Sequence, residues 1–87
     1  MDNEKMRYRL YSETESFKVL YVNGFRTRIN ISRRSCRENG KFWVEWRVYA
    51  RDAIGEFRVG TGYTLAQARN IAITYYDTTS KEIKNHG

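Results

Sequence analysis

Phe42-Trp43-Val44-Glu45-Trp46-Arg47-Val48-Tyr49-Ala50 is the stretch on which the fold turns. Aromatic and β-branched residues fill it, as strands prefer. Its period is two, so Phe42, Val44, Trp46, Val48 and Ala50 point one way and Trp43, Glu45, Arg47, Tyr49 and Arg51 the other. Glu38-Asn39-Gly40-Lys41 reads as the turn before it and Asp52-Ala53-Ile54-Gly55 as the turn after it, leading into Glu56-Phe57-Arg58-Val59-Gly60-Thr61. Upstream, Asn23-Gly24 is the strongest turn signal in the chain and joins Phe17–Val22 to Phe25–Ile31 as a hairpin. The strands therefore form an antiparallel meander over 25–62, with Phe17–Val22 as a candidate edge strand.

After Gly60-Thr61-Gly62 the period lengthens to that of a helix. Thr64-Leu65-Ala66-Gln67 fits a capping box, and Leu65, Ala68, Ile71, Ala72 and Tyr75 share one stripe. The spacing predicts a helix over 64–78 and a polar tail over 79–87, because Thr78-Thr79-Ser80 offers hydroxyls that compete for the backbone. His86 falls in that tail and carries no expected role. Residues 1–16 read either as a basic arm or as an extra strand around Met6, Tyr8 and Leu10, with a loop from Tyr11 to Ser16. The expectation is one α+β domain over 1–87, a three- to four-stranded antiparallel sheet packed on one C-terminal helix. Gly60 and Gly62 are expected to let the strand end bend before that helix.

Length and charge narrow the function classes. Eighty-seven residues exclude a multi-part enzyme architecture. No apolar run reaches the ~18 residues of a membrane span. The opening Met1-Asp2-Asn3-Glu4-Lys5 carries no signal-peptide pattern. A lone cysteine, Cys36, excludes an internal disulfide framework and a cysteine zinc site, and points to a reducing, cytoplasmic setting. The net charge of +6 comes from 11 Arg and 5 Lys. Nine basic residues stand against four acidic ones between Arg26 and Arg58, so five of the six net charges fall there. Such a localised, Arg-rich surplus is the footprint of a polyanion partner.

Alternation places this surplus on one sheet face. Ile29, Ile31, Phe57 and Val59 join the apolar side, with Thr27 and Arg33 at its edges, and match the helix stripe. Arg26, Arg28, Asn30, Arg34, Trp43, Arg47, Tyr49, Arg51 and Arg58 share the opposite side, and are the candidate nucleic-acid-binding residues. Arg and aromatic side chains there suit phosphates, guanine edges and base faces. The alternative is that residues 1–22 fold over this face and bury Trp43.

Other chemistry finds no support in the spacing. Glu45 and Glu56 imitate an acid–base pair across strands, but with Arg47 and Arg58 nearby they read as salt-bridge partners. Cys36 sits between Arg34 and Arg37 with no histidine placed as its base. The Gly55, Gly60 and Gly62 spacing matches neither phosphate-loop pattern, so no cofactor is expected. The protein is expected to be a binder and not an enzyme, a monomer by default, with no membrane partner.

Gly40-Lys41-Phe42-Trp43-Val44-Glu45-Trp46-Arg47 and Gly55-Glu56-Phe57-Arg58-Val59-Gly60 resemble the strands of AP2-type DNA-binding domains, and equally those of the arm-site-binding domains of phage and transposon tyrosine integrases. Thr64-Leu65-Ala66-Gln67-Ala68-Arg69-Asn70-Ile71-Ala72 resembles their helix start. The resemblance covers about 25–77 and is a pattern of residue types. It implies a sheet face in the DNA major groove, with Arg26, Arg28, Trp43, Arg47, Tyr49 and Arg58 as contacts, in an accessory, recombination or regulatory factor of a mobile element. Phe42-x-Val44-Glu45-x-Arg47-Val48 with Gly60-x-Gly62-x-Thr64 resembles, in second place, the double-stranded-RNA-binding domain. Duplex DNA is thus the favoured partner, RNA the alternative, and an acidic protein or nucleic-acid enzyme a partner of another class.

Overall fold

The computed structural model describes residues 6–86, with side chains over 6–80. Five antiparallel strands in sequential order form one open sheet, and one helix crosses one of its faces. The strands are β1 (Tyr8–Thr14), β2 (Phe17–Val22), β3 (Phe25–Glu38), β4 (Lys41–Arg51) and β5 (Glu56–Gly62); the helix α1 spans Leu65–His86. Fold class and strand direction are those expected, and the sheet is one to two strands wider.

The added width lies at the N-terminus. Tyr8–Thr14 forms the edge strand, with Tyr8 opposite Val22 and Leu10 opposite Leu20. The expected loop from Tyr11 is therefore strand as far as Thr14, and Phe17–Val22 is an interior strand, not an edge. Residues 1–16 do not lie over the sheet where they are described; they extend it. The Asn-Gly turns form as their chemistry requires. Asn23 and Gly24 (φ 53° and 85°) and Asn39 and Gly40 (φ 52° and 78°) are all left-handed, the pairing that suits the twist of a two-residue hairpin.

The core joins Leu20 and Val22 of β2, Ile29 and Ile31 of β3, and Val48 and Ala50 of β4 to Ala68 and Ala72 of α1. The small alanines let the helix approach closely. Gly62 makes that approach possible: a Cβ there would stand 2.7 Å from the Ala68 nitrogen. Its glycine is needed for helix contact, beyond the bend expected of it. Half of the capping box forms, with Gln67 N–H donating to Thr64 Oγ1 at 3.1 Å; the Gln67 side chain accepts from the N–H of Tyr63, one residue before the cap, at 2.7 Å.

Two expectations about packing are corrected. The helix continues through Thr78-Thr79-Ser80 to His86 and replaces the expected polar tail. The Thr79 hydroxyl donates back to the Tyr75 and Tyr76 carbonyls at 3.0 and 3.2 Å, so it is satisfied within the helix. The His86 side chain lies outside the described residues. Second, Phe42, Val44 and Trp46 were expected under the helix with Val48 and Ala50. The register forbids it: Gly62, where β5 ends, pairs with Trp46, and α1 begins three residues later. Trp46 borders the core, whereas Phe42 lies beyond it and is 72% exposed.

Candidate nucleic-acid interface

Register brings the expected face together. Asn30 stands opposite Tyr49, Arg34 opposite Glu45, and Trp43 opposite Cys36 on β3 and β4. Tyr49 stands opposite Arg58, and Arg51 opposite Glu56, on β4 and β5. Arg26 is opposite Tyr21, and Arg28 lies one step beyond the Ile29–Ala50 pair. Two irregularities leave the facing intact. Between Val19 and Tyr21 of β2, the β3 strand carries a longer segment, secured by the Thr27 hydroxyl donating to Leu20 O at 2.7 Å. On β5 the register slips between Gly60 and Arg58, which turns Val59 to the core and keeps Arg58 on the open face.

Charge on this face is partly paired. Glu45 accepts from Trp43 Nε1 and from Arg47 Nε, each at 2.9 Å. Both ionic side chains are well shielded, with 16% of Glu45 and 23% of Arg47 exposed. The Trp43 indole N–H, and after it the Arg47 guanidinium, hold the Glu45 carboxyl below its ordinary range. Glu45 therefore stays ionised at neutral pH and fixes both residues. Trp43 is half-buried, and the described residues of the N-terminal segment extend the sheet at its edge. Arg26 pairs with Glu13 at 2.8 Å. Glu56 is not near Glu45; it accepts from Asn30 Nδ2 at 3.2 Å at the other end of the sheet. Among the described residues these are the two ion pairs, Arg26–Glu13 and Arg47–Glu45. The guanidiniums of Arg28, Arg34, Arg51 and Arg58 are engaged in neither. Arg58 lies over the Tyr49 ring, 5.8 Å from its centroid, in a cation–π contact, and is exposed.

The face is wider than the sequence suggested. Arg9 stands opposite Tyr21, Arg9 lies 5.6 Å from the Tyr11 ring centroid, and the Tyr11 and Tyr21 rings meet edge to face at 4.5 Å. Arg7, Arg9 and Tyr11 alternate with Tyr8 and Leu10, which is the signal that could have found them. Val19 also points to this side, yet it is only 2% exposed. It floors a shallow cavity of about 440 Å³ walled by Phe17, Arg26, Arg28, Asn30 and Arg51.

No helix among the described residues is long and apolar enough to cross a membrane, and no three His, Cys, Asp or Glu side chains among them cluster as metal ligands. No family model, curated protein or solved structure matches this chain.

Proposed function

We propose that this protein binds duplex nucleic acid, DNA in preference to RNA, through the open face of its sheet. One observation carries the reading: the helix takes one face, and the other gathers Arg28, Arg34, Arg51 and Arg58, outside the two ion pairs of the described residues, on the same face as Trp43 and Tyr49. Guanidiniums of this kind neutralise phosphates and grip them bidentately. Arg28 and Arg58 are the candidates for base edges, and Trp43 and Tyr49 for sugars or thymine methyls; Arg47, expected among the contacts, is instead taken up by Glu45. Duplex DNA is favoured because its major groove admits β structure, whereas that of A-form RNA is deep and narrow. The role is binding without catalysis. The resemblance of the β4, β5 and helix-start residues to integrase arm-site domains favours a recombination or regulatory accessory of a mobile element.

Fluorescence anisotropy with labelled duplex DNA, duplex RNA and single strands, at several salt concentrations, tests this. Duplex DNA is expected to bind most tightly, with a log–log salt slope of about −4 to −6 at about 0.9 per neutralised phosphate. Absence of binding to every nucleic acid at low salt overturns the proposal and leaves an acidic protein as the partner. Tighter binding to duplex RNA overturns the choice of DNA.

A further inference from the structure

The two central strands outrun the rest of the molecule. Beyond Ser32, which pairs with Phe17, β3 loses β2; beyond Trp46, which pairs with Gly62, β4 loses β5. Five register pairs, from Arg34–Glu45 to Glu38–Lys41, then continue as a two-stranded ribbon closed by Asn39-Gly40. The helix does not reach it, so both faces meet solvent. Its length is about 17 Å at the usual rise per residue.

The face that continues the helix side carries a cationic and aromatic array in place of core. Arg33 stands opposite Trp46 and Arg37 opposite Phe42. The Arg37 guanidinium lies 5.0 Å from the Phe42 ring centroid, and Arg33 and Lys18 lie 6.0 and 5.7 Å from that of Trp46. On the opposite face, Glu45 neutralises Arg47 and ties down Trp43. From Arg34 to Glu45 the ribbon holds three basic residues, Arg34, Arg37 and Lys41, against Glu38 and Glu45, the latter already taken up by Arg47 and Trp43, and Arg33 at its base adds a fourth cation.

We infer that this ribbon is a finger that enters the DNA major groove tip first, with Lys41, Arg37 and Phe42 within the groove and Arg34 and Arg33, at the ribbon's base, toward the flanking phosphates. The inference rests on the duplex-binding reading above and adds a second contact face to it. The dimensions agree. A sheet with side chains on both faces is about 10 Å thick, and the major groove is about 12 Å wide and about 8.5 Å deep. That depth takes in Asn39, Lys41 and Phe42, which suit adenine edges, guanine edges and thymine methyls respectively, and Glu38 opposite Lys41, which suits a cytosine amino group. The Arg37 guanidinium beside the Phe42 ring, with Arg34 and Arg33 behind it, supplies the positive charge for the phosphate walls.

The test compares two variants of the full chain. Arg33→Ser/Arg37→Ser/Phe42→Ala strips the helix-side face of the ribbon, and Arg28→Ser/Arg58→Ser strips the sheet. The ribbon variant is expected to lose about tenfold or more in duplex DNA affinity and to flatten the salt slope by about 2. Guanine N7 methylation, a major-groove mark, is expected to block the wild type more than the ribbon variant. Circular dichroism should show both variants folded. If the ribbon variant binds like wild type while the sheet variant does not, the finger is wrong and the sheet-face reading stands. If N7 methylation leaves wild-type binding unchanged, the major-groove assignment falls. If wild type itself fails to bind duplex DNA, both readings fall.

Discussion

Gly62 shows how one residue without a side chain sets the spacing between layers. An added Cβ would meet the Ala68 nitrogen at 2.7 Å, the Gln67 Cβ at 2.9 Å and the Gln67 carbonyl carbon at 3.1 Å. The helix backbone cannot yield as a flexible side chain can. Gly62→Ala is therefore expected to cost about 1–3 kcal/mol, the usual range for overpacking. Gly60 is the internal control. Its added Cβ would meet only Ile71, nearest at Cγ2, 3.1 Å away. That side chain can turn, and removing a glycine recovers about 0.4–1 kcal/mol of unfolded-state entropy. Gly60→Ala is expected to come out near neutral. Urea unfolding of both variants checks the pair, and equal costs would refute the backbone-contact account. This difference was not legible in Gly60-Thr61-Gly62, where the two glycines look alike. It depends on which of them lies under the first turn of α1.

At the scale of elements, β1 is the part least legible in the sequence. Tyr8 and Leu10 are its only apolar residues facing the core side, and Ser12-Glu13-Thr14 carries the solvated composition of an edge. What fixes the strand is tertiary. Tyr8 donates its hydroxyl to the Asp77 carboxylate, its ring meets Tyr76 edge to face at 6.3 Å, and Arg69 donates to its carbonyl at 3.2 Å. These partners lie more than sixty residues away, out of reach of any local pattern. Burial, then the hydrogen bond and charge of Asp77, push the Tyr8 phenol up to about 12. The fold favours the neutral phenol, so this stabilisation is whole below the unfolded value of about 10. It is lost as pH rises from there through the folded value. Absorbance titration at the tyrosinate band should show one of the seven tyrosines ionising late, and Tyr8→Phe should remove that late step. A late step that survives the substitution would assign it to another tyrosine. The open face was readable because its alternation runs through three successive strands. The ribbon was not, since Phe42 carries the same phase as Val48 and only the Trp46–Gly62 register shows that cover stops between them.

The whole molecule is elongated, with principal extents of 53 × 26 × 19 Å, because its core and its ribbon occupy opposite ends of the same two strands. Leu20, Ile31 and Val48 are fully covered at one end, while the ribbon contributes no residue to the core cluster. An isolated two-stranded hairpin is marginal in water, so the ribbon should open without the sheet. Native-state hydrogen exchange should show it as a gradient along single strands. Amides of Ile31 and Val48 should exchange only by global unfolding, and those of Cys36, Arg37 and Val44 by local opening. The same division predicts mutational costs. Ile31→Ala should lose about 2–5 kcal/mol, as large core deletions do, whereas Phe42→Ala should stay within about 0.5 kcal/mol, as at an exposed site. A contact made by the ribbon with DNA would then slow exchange of its amides in the complex and leave those of Ile31 and Val48 unchanged. Uniform protection along β3 and β4 in the free protein would show a ribbon as rigid as the core, and would remove the basis for treating stability and groove contact as separable.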